Sequence, residues 1–253
     1  MRTPNSTSSP GTPAAVELLL VDFDDTLVET SPRFQNARRA LFELLAEIGF
    51  EPGTARHIHH EVVDPRMIER FGLGPFRLEH SFRETYRRLC RDAGIPPEPK
   101  IERRCEELGR AVIGPPPSID GALDALRAVA DTFPTVLYTQ SGDPEYQLRC
   151  VREAGVLDVL PPDRIRICSR KTPDEFRATL AHYRVAEPAR AWMIGNSIRS
   201  DINPALLVGA RAILVESRDP WEFDLDEPVS DDYLRAASFP DAAGYLLSRF
   251  AAR

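Results

Sequence analysis

Apolar positions along this chain change their period twice. A run beginning at Val16 and carrying Leu18, Leu19, Leu20 and Val21 reads as a buried strand. It ends in Asp22-Phe23-Asp24-Asp25-Thr26-Leu27. From Phe34 onward apolar residues recur every three or four positions: Phe34, Ala37, Leu41, Leu44, Leu45 and Ile48, then Phe82, Tyr86, Leu89 and Ala93, then Ile101, Cys105, Leu108 and Val112. This spacing predicts an all-helical block of roughly 85 residues. Thr30-Ser31-Pro32 precedes it and Gly114-Pro115-Pro116-Pro117-Ser118 follows it, both with the composition of linkers.

From Ile119 the pattern alternates. A helix carrying Leu123, Leu126 and Val129 leads to a strand at Thr135 to Thr139, and a helix near Glu145 to Glu153 leads to a strand at Arg164 to Cys168. A helix with Phe176 and Leu180 precedes a strand at Ala191 to Ile194, and a helix near Pro204 to Leu207 precedes one at Ala210 to Val215. Such alternation predicts a parallel sheet covered by helices on both faces. The expected class is therefore α/β, a doubly wound parallel sheet with an inserted α-helical domain. Residues 15–30 and 118–253 form the sheet domain and residues 31–117 the insertion. Residues 1–14 are rich in Ser, Thr, Pro and Gly and predict a disordered tail rather than a secretory signal.

Composition narrows the function classes. The chain has 253 residues, 42% hydrophobic and 28% charged, enough for one full core and a smaller one. No apolar run approaches the roughly 20 residues that span a bilayer, so no membrane role is expected. The four cysteines (Cys90, Cys105, Cys150, Cys168) lack Cys-x-x-Cys spacing, which fits reduced thiols in a cytoplasmic protein. A net charge of -7 argues against nucleic-acid binding, which relies on clustered cations. Arg87-Arg88 and Arg103-Arg104 lie beside acidic residues and read as solvated helix faces. Of 32 basic residues only Lys100 and Lys171 are lysines, which makes a retained lysine informative.

Asp22 and Asp24 are two residues apart, so in extended chain they point to one side and converge on one cation or one phosphoryl group. If the strand breaks there, one contributes its backbone carbonyl instead. An isolated Asp-x-Asp is also ordinary turn sequence, so the rest of the chain decides. Ligands of open parallel sheets bind at the carboxyl ends of the strands, and four predicted strands end in suitable residues. They are Asp22 and Asp24, then Thr139-Gln140-Ser141, then Lys171, then Gly195-Asn196-Ser197 followed by Asp201. In this order and spacing, over about residues 16 to 216, the chain resembles the haloacid dehalogenase superfamily.

The resemblance implies a role for each matching residue. Asp22 matches the nucleophile that forms an aspartyl-phosphate. Asp24 matches the general acid and base, present in the superfamily's phosphatases and phosphomutases and missing from its dehalogenases. Thr139 matches the hydroxyl that, with the backbone N–H of the following Gln140, binds the phosphoryl group. Lys171 matches the cation that offsets carboxylate and phosphate charge. Asp22, Asp24, Asn196 and Asp201 match the Mg2+ site, with Asn196 standing where an aspartate is commoner. The helical insertion matches a cap that closes over small substrates.

The implied activity is magnesium-dependent hydrolysis of a small phosphomonoester, the partner being a small phosphorylated metabolite. Phosphomutase activity, or phosphometabolite binding without catalysis, is the alternative. His57, His59 and His60 lack an accompanying acid or cysteine for a metal site. Arg33, Arg66, Arg70 and Arg77 are candidates for an anionic substrate, with solvated helix faces expected for most of them. Trp221 and Glu222 are expected to pack.

Overall fold

The computed structural model describes residues 15–72, 74–217 and 226–251. The expected tail, Trp221 and Glu222 lie outside them. Six parallel strands form one sheet in the order β3-β2-β1-β4-β5-β6: β1 (Leu18–Val21), β2 (Thr135–Gln140), β3 (Ile165–Cys168), β4 (Ala191–Gly195), β5 (Arg211–Val215) and β6 (Leu234–Ala236). β1 is central because its residues are wholly apolar and no more than 1% exposed. Its side chains alternate between faces, as period two requires. Leu19 and Val21 pack with Leu137, Ile194 and Ile213 under α6 (Ala122–Thr132), α7 (Pro144–Glu153) and α10 (Phe239–Phe250). Leu18 and Leu20 pack with Val136, Met193 and Leu214 under α8 (Pro173–His182) and α9 (Asn203–Leu207).

The chain runs from β1 to β2 and β3 on one side, then returns to β4, β5 and β6 on the other. Strand order therefore reverses beside β1, and the crevice at a reversal point is where such sheets bind ligands. Between β1 and β2 stand α1 (Ser31–Glu47), α2 (Pro52–His57), α3 (Asp64–Phe71), α4 (Arg77–Asp92) and α5 (Pro99–Arg110), with a π-helical turn at Ile58–Val63. These helices bury a core of their own around Leu41, Leu45, Leu78, Phe82 and Cys105. The chain leaves and re-enters the sheet at adjacent points. Glu29 N donates to Pro117 O at 2.8 Å and Ile119 N to Leu27 O at 2.9 Å.

A solvated face is observed for Arg66 and Arg70 but not for Arg77, which is 1% exposed. Arg77 sits on the inward face of α4, where Asp64 at the start of α3 meets it. The Arg77 guanidinium lies 3.3 Å from both carboxylate oxygens of Asp64. Ser81 Oγ donates to Asp64 at 2.9 Å, and Arg38 Nη2 is 3.7 Å away. All four cysteines are free and buried. β6 and α10 lie beyond the last strand expected from sequence. Among the described residues no helix is long and apolar enough to cross a membrane.

His59 is fully buried in the helical block. Thr85 Oγ1 commits its proton to Ser81 O at 2.8 Å, so the contact of 3.1 Å with His59 Nδ1 is donated by the ring. Nε2 is then the lone-pair nitrogen, buried without a hydrogen-bond partner. Burial holds His59 at a pKa of about 3, against the attraction of Asp64 and with help from His60, Arg38 and Arg77. Unfolded, the ring takes up a proton below its ordinary 6.5; folded, it does not until about 3. Stability is therefore complete above the unfolded value and should fall by about 1.4 kcal/mol per pH unit below it. Urea unfolding at pH 7 and pH 4.5 should show this loss, and His59→Gln should remove most of it. An equal slope in the two proteins would refute the assignment.

Candidate active site

Every strand end on the reversal crevice delivers a polar side chain. Asp22 follows β1 directly, its N–H donating to Ile194 O of β4 at 2.9 Å. It is 5% exposed, and its Oδ2 accepts from Thr26 Oγ1 at 3.3 Å. Lys171 enters from beyond β3. Its Nζ donates to Asp22 Oδ1 and, at 2.6 Å, to Asp201 Oδ1. Asp201 rides on a π-helical turn (Ile198–Ile202) after β4, and its other oxygen accepts from Ser197 N at 3.0 Å. Gln140 Oε1 accepts from Lys171 N at 2.9 Å, so this side chain fixes the segment from which the lysine projects.

One ammonium thus stands between two buried carboxylates, leaving an excess of negative charge. Burial pushes the Asp22 carboxyl well above its ordinary range; Lys171 opposes this and Asp201 and Asp24 reinforce it. Burial alone would lower the Lys171 pKa, but Asp201 and Asp22 outweigh it and raise it. Lys171 is therefore favoured in its charged form.

β1 ends at Val21, and Asp24 sits in an isolated bridge with Val28 just before the turn that starts at Asp25, so its carboxyl does not join that triad. Its Oδ1 accepts from Thr30 Oγ1 at 2.5 Å and its Oδ2 from Gln147 Nε2 at 2.7 Å. Burial raises its pKa, the two hydrogen bonds lowering it in part. Asp25 follows in a left-handed conformation at φ 56°, tolerated by Asp. Its carboxylate accepts from Thr30 N at 2.9 Å and Ser31 N at 2.8 Å, fixing the first linker. Thr139 is fully buried at the end of β2 and accepts from Gln147 Nε2 at 3.0 Å.

These groups line one cavity of about 170 Å³, together with Asn196, Ser197 and, from the helical block, Arg33, Arg38 and Arg77. The sequence-expected Asp22, Asp24, Thr139, Gln140, Lys171, Asn196 and Asp201 all meet there. Arg33 also donates through Nη2 to Gly114 O at 2.9 Å and to Val112 O, tying the two linkers together. Arg66 and Arg70 do not line the cavity, nor do His57, His59 and His60. Gln147 and Asp25 escaped sequence reasoning. The available signal for Gln147 was its position one turn into a helix that begins with Pro144 just beyond β2. Among the described residues no three His, Cys, Asp or Glu side chains are grouped as a metal cage.

The family model for haloacid dehalogenase-like hydrolases matches residues 16–209. The chain belongs to that family. Among solved structures it is similar to a haloacid dehalogenase-like family hydrolase from Xanthomonas campestris, 24% identical over 93% of this chain and 96% of that one, with a TM-score of 0.74. It is similar to the HAD-hydrolase YfnB from Bacillus subtilis bound to magnesium, 18% identical over 92% and 99%, TM-score 0.60. It is also similar to L-2-haloacid dehalogenase from Xanthobacter autotrophicus with chloropropionic acid covalently bound, 14% identical over 93% and 100%, TM-score 0.55. At these identities the likeness establishes the haloacid dehalogenase fold. No curated protein matches the sequence.

Gly195, at the end of β4, is where the site tolerates no side chain. A Cβ there would lie 2.3 Å from Asp201 Oδ2. Gly195→Ala should lower stability by about 1–3 kcal/mol, as overpacking does. Gly244, inside α10, has nothing within 4 Å of a built Cβ, and Gly244→Ala should instead stabilise by about 0.4–1 kcal/mol. Thermal unfolding of both variants checks the pair. Equal effects would show that Asp201 does not need the space at Gly195.

Proposed function

We propose that this protein hydrolyses a small phosphomonoester through an aspartyl-phosphate on Asp22. A carboxylate oxygen of Asp22 attacks phosphorus while the bond to the leaving oxygen breaks, and Asp24 gives that oxygen its proton, releasing an alcohol. Water then attacks the aspartyl-phosphate, Asp24 takes a proton from the water, and inorganic phosphate leaves with Asp22 restored. Lys171 offsets charge on Asp22 and the phosphoryl oxygens. Thr139 and a backbone N–H of the same strand end supply hydrogen bonds to the phosphoryl group.

The observation that carries this reading is the second carboxyl. Asp24 lines the same cavity as Asp22 and is shifted by burial toward its protonated form. An alkoxide is a strong base and needs a proton to leave; a halide is a weak base and does not. A dehalogenase therefore has no use for an acid here, and a phosphatase does.

The donor set suits magnesium. Two hard carboxylates, Asp22 and Asp201, converge with charge left over after Lys171 is counted, and Asn196, which lines the same cavity, has an amide oxygen that could join them. Magnesium takes one or two carboxylates and keeps water for its remaining positions, so a full cage is not required. Because the Asp24 carboxyl faces Thr30 and Gln147, its backbone carbonyl is the group by which it would reach the cation. Bound there, magnesium would neutralise charge between the nucleophile and the phosphoryl oxygens. The helical block, pinned over the cavity by both linkers, fits a cap that excludes bulk water.

Phosphate release from a panel of small phosphomonoesters should depend on magnesium. It should vanish in Asp22→Asn and fall on the order of 100-fold or more in Asp24→Ala. Turnover by Asp22→Asn at the wild-type rate would refute the mechanism. Asn196→Asp should lower the magnesium concentration that gives half-maximal rate. An unchanged dependence would place Asn196 outside the metal's ligands.

A further inference from the structure

Gln147 is 6% exposed and lies on the first turn of α7. Its amide nitrogen is 2.7 Å from Asp24 Oδ2 and 3.0 Å from Thr139 Oγ1. A primary amide nitrogen carries two hydrogens and accepts none, so one hydrogen goes to each oxygen. The reversed amide would set its own carbonyl oxygen against an Asp24 carboxylate whose other oxygen already takes the Thr30 hydroxyl. In the orientation of the structure both Asp24 oxygens accept hydrogen bonds, one from Gln147 and one from Thr30.

The consequence for Thr139 follows from hydroxyl geometry. Having accepted from Gln147, Oγ1 must direct its own hydrogen elsewhere, and among the described residues that hydroxyl makes no other hydrogen bond. The direction left is the cavity that Thr139 lines. The helix carrying Gln147 is itself held. The hydroxyl of the preceding Tyr146 donates to Gly114 O at 2.8 Å and accepts from Gly114 N at 3.1 Å, and Asp143 caps the helix by accepting from Tyr146 N at 2.9 Å.

We infer that Gln147 is a positioning residue that sets two reacting groups at once, holding the Asp24 carboxyl in place and turning the Thr139 hydroxyl proton toward the transferred phosphoryl group. The inference rests on the phosphomonoester hydrolysis proposed above. Both groups act more strongly on the transition state than on the bound ester, so the loss of Gln147 should appear in kcat more than in KM.

Steady-state kinetics of Gln147→Leu and of the isosteric Gln147→Glu test this, with an alkyl phosphate and with p-nitrophenyl phosphate, whose leaving group needs little protonation. In both variants kcat on the alkyl ester should fall roughly 10- to 100-fold, the scale of a lost hydrogen bond to a charged group, with KM nearly unchanged. The fall on p-nitrophenyl phosphate should be smaller. In an Asp24→Ala or a Thr139→Val background the Gln147→Leu loss should shrink, as it does when one residue acts through another. An unchanged kcat, a loss confined to KM, or full additivity with both partners would overturn the inference.

If the wild type hydrolyses no ester, the proposed function fails and Gln147 is read by binding. Titration calorimetry with orthovanadate and with inorganic phosphate, both with magnesium, then replaces kinetics. Selective weakening of vanadate, the mimic of the five-coordinate phosphorus, supports the positioning role. Equal or no weakening of the two anions overturns it. Circular dichroism of each variant separates either result from misfolding.

Discussion

The buried ion triad of Lys171 with Asp22 and Asp201 is the constraint on which the rest of this structure depends. Its members come from three separated places in the chain, each just past the carboxyl end of a parallel strand. Losing one partner of a buried ion pair costs about 3–5 kcal/mol, because the other is left uncompensated. The neighbourhood is arranged around that penalty. Gln140 fixes the lysine's backbone, Ser197 donates to Asp201, Thr26 donates to Asp22, and Gly195 leaves room for a carboxylate where any side chain would collide. One ammonium against two carboxylates is also an incomplete balance. That imbalance is what the proposed magnesium would offset.

Asp24 obeys a different rule. It stands two residues after Asp22, yet its carboxyl belongs to the linkers and to α7 rather than to the triad. Thr30 binds it, Asp25 binds the backbone of Thr30 and Ser31, and Arg33 ties the first linker to Gly114 of the second. Tyr146 joins Gly114 from α7, and Gln147, next to it, returns to Asp24. The attachment points of the helical block and the supports of the second carboxyl are thus the same few residues. Displacing the block would strain the hydrogen bonds that orient Asp24, which couples the two without any contact between distant parts.

Much of this was legible before any coordinates. The unbroken run Leu18 to Val21 announces a strand buried on both faces, and the strands near Thr135, Ile165, Ala191 and Arg211 stand within a residue or so of where periodicity puts them. Strand ends are where a parallel sheet exposes its chemistry, so Asp22, Thr139, Lys171, Asn196 and Asp201 could be found by position. Gln147 was harder: its place after β2 hints at the site, but its partner Asp24 is 123 residues away and no period encodes a hydrogen bond across that distance. The ion pair of Arg77 was hidden for a related reason. A helix face that carries arginine looks solvated until another helix brings Asp64 against it. β6 escaped because Leu234, Arg235 and Ala236 form too short and too mixed a run to show a period.

The fold itself leaves the reaction open, since a dehalogenase with a covalently bound chloropropionic acid shares it at 14% identity. Both chemistries can begin with a buried carboxylate nucleophile and a lysine, so those residues do not separate them. What separates them is the fate of the leaving group. Expelling a halide moves no proton, so at that step a carboxyl would carry a desolvation cost with no proton to give. Here that carboxyl is present, raised in pKa by burial, and held by two donors, one of which also donates to the Thr139 hydroxyl, the group that the proposed hydrolysis would turn toward phosphorus. Such a set of hydrogen bonds serves a reaction in which a proton must arrive as a bond to oxygen breaks.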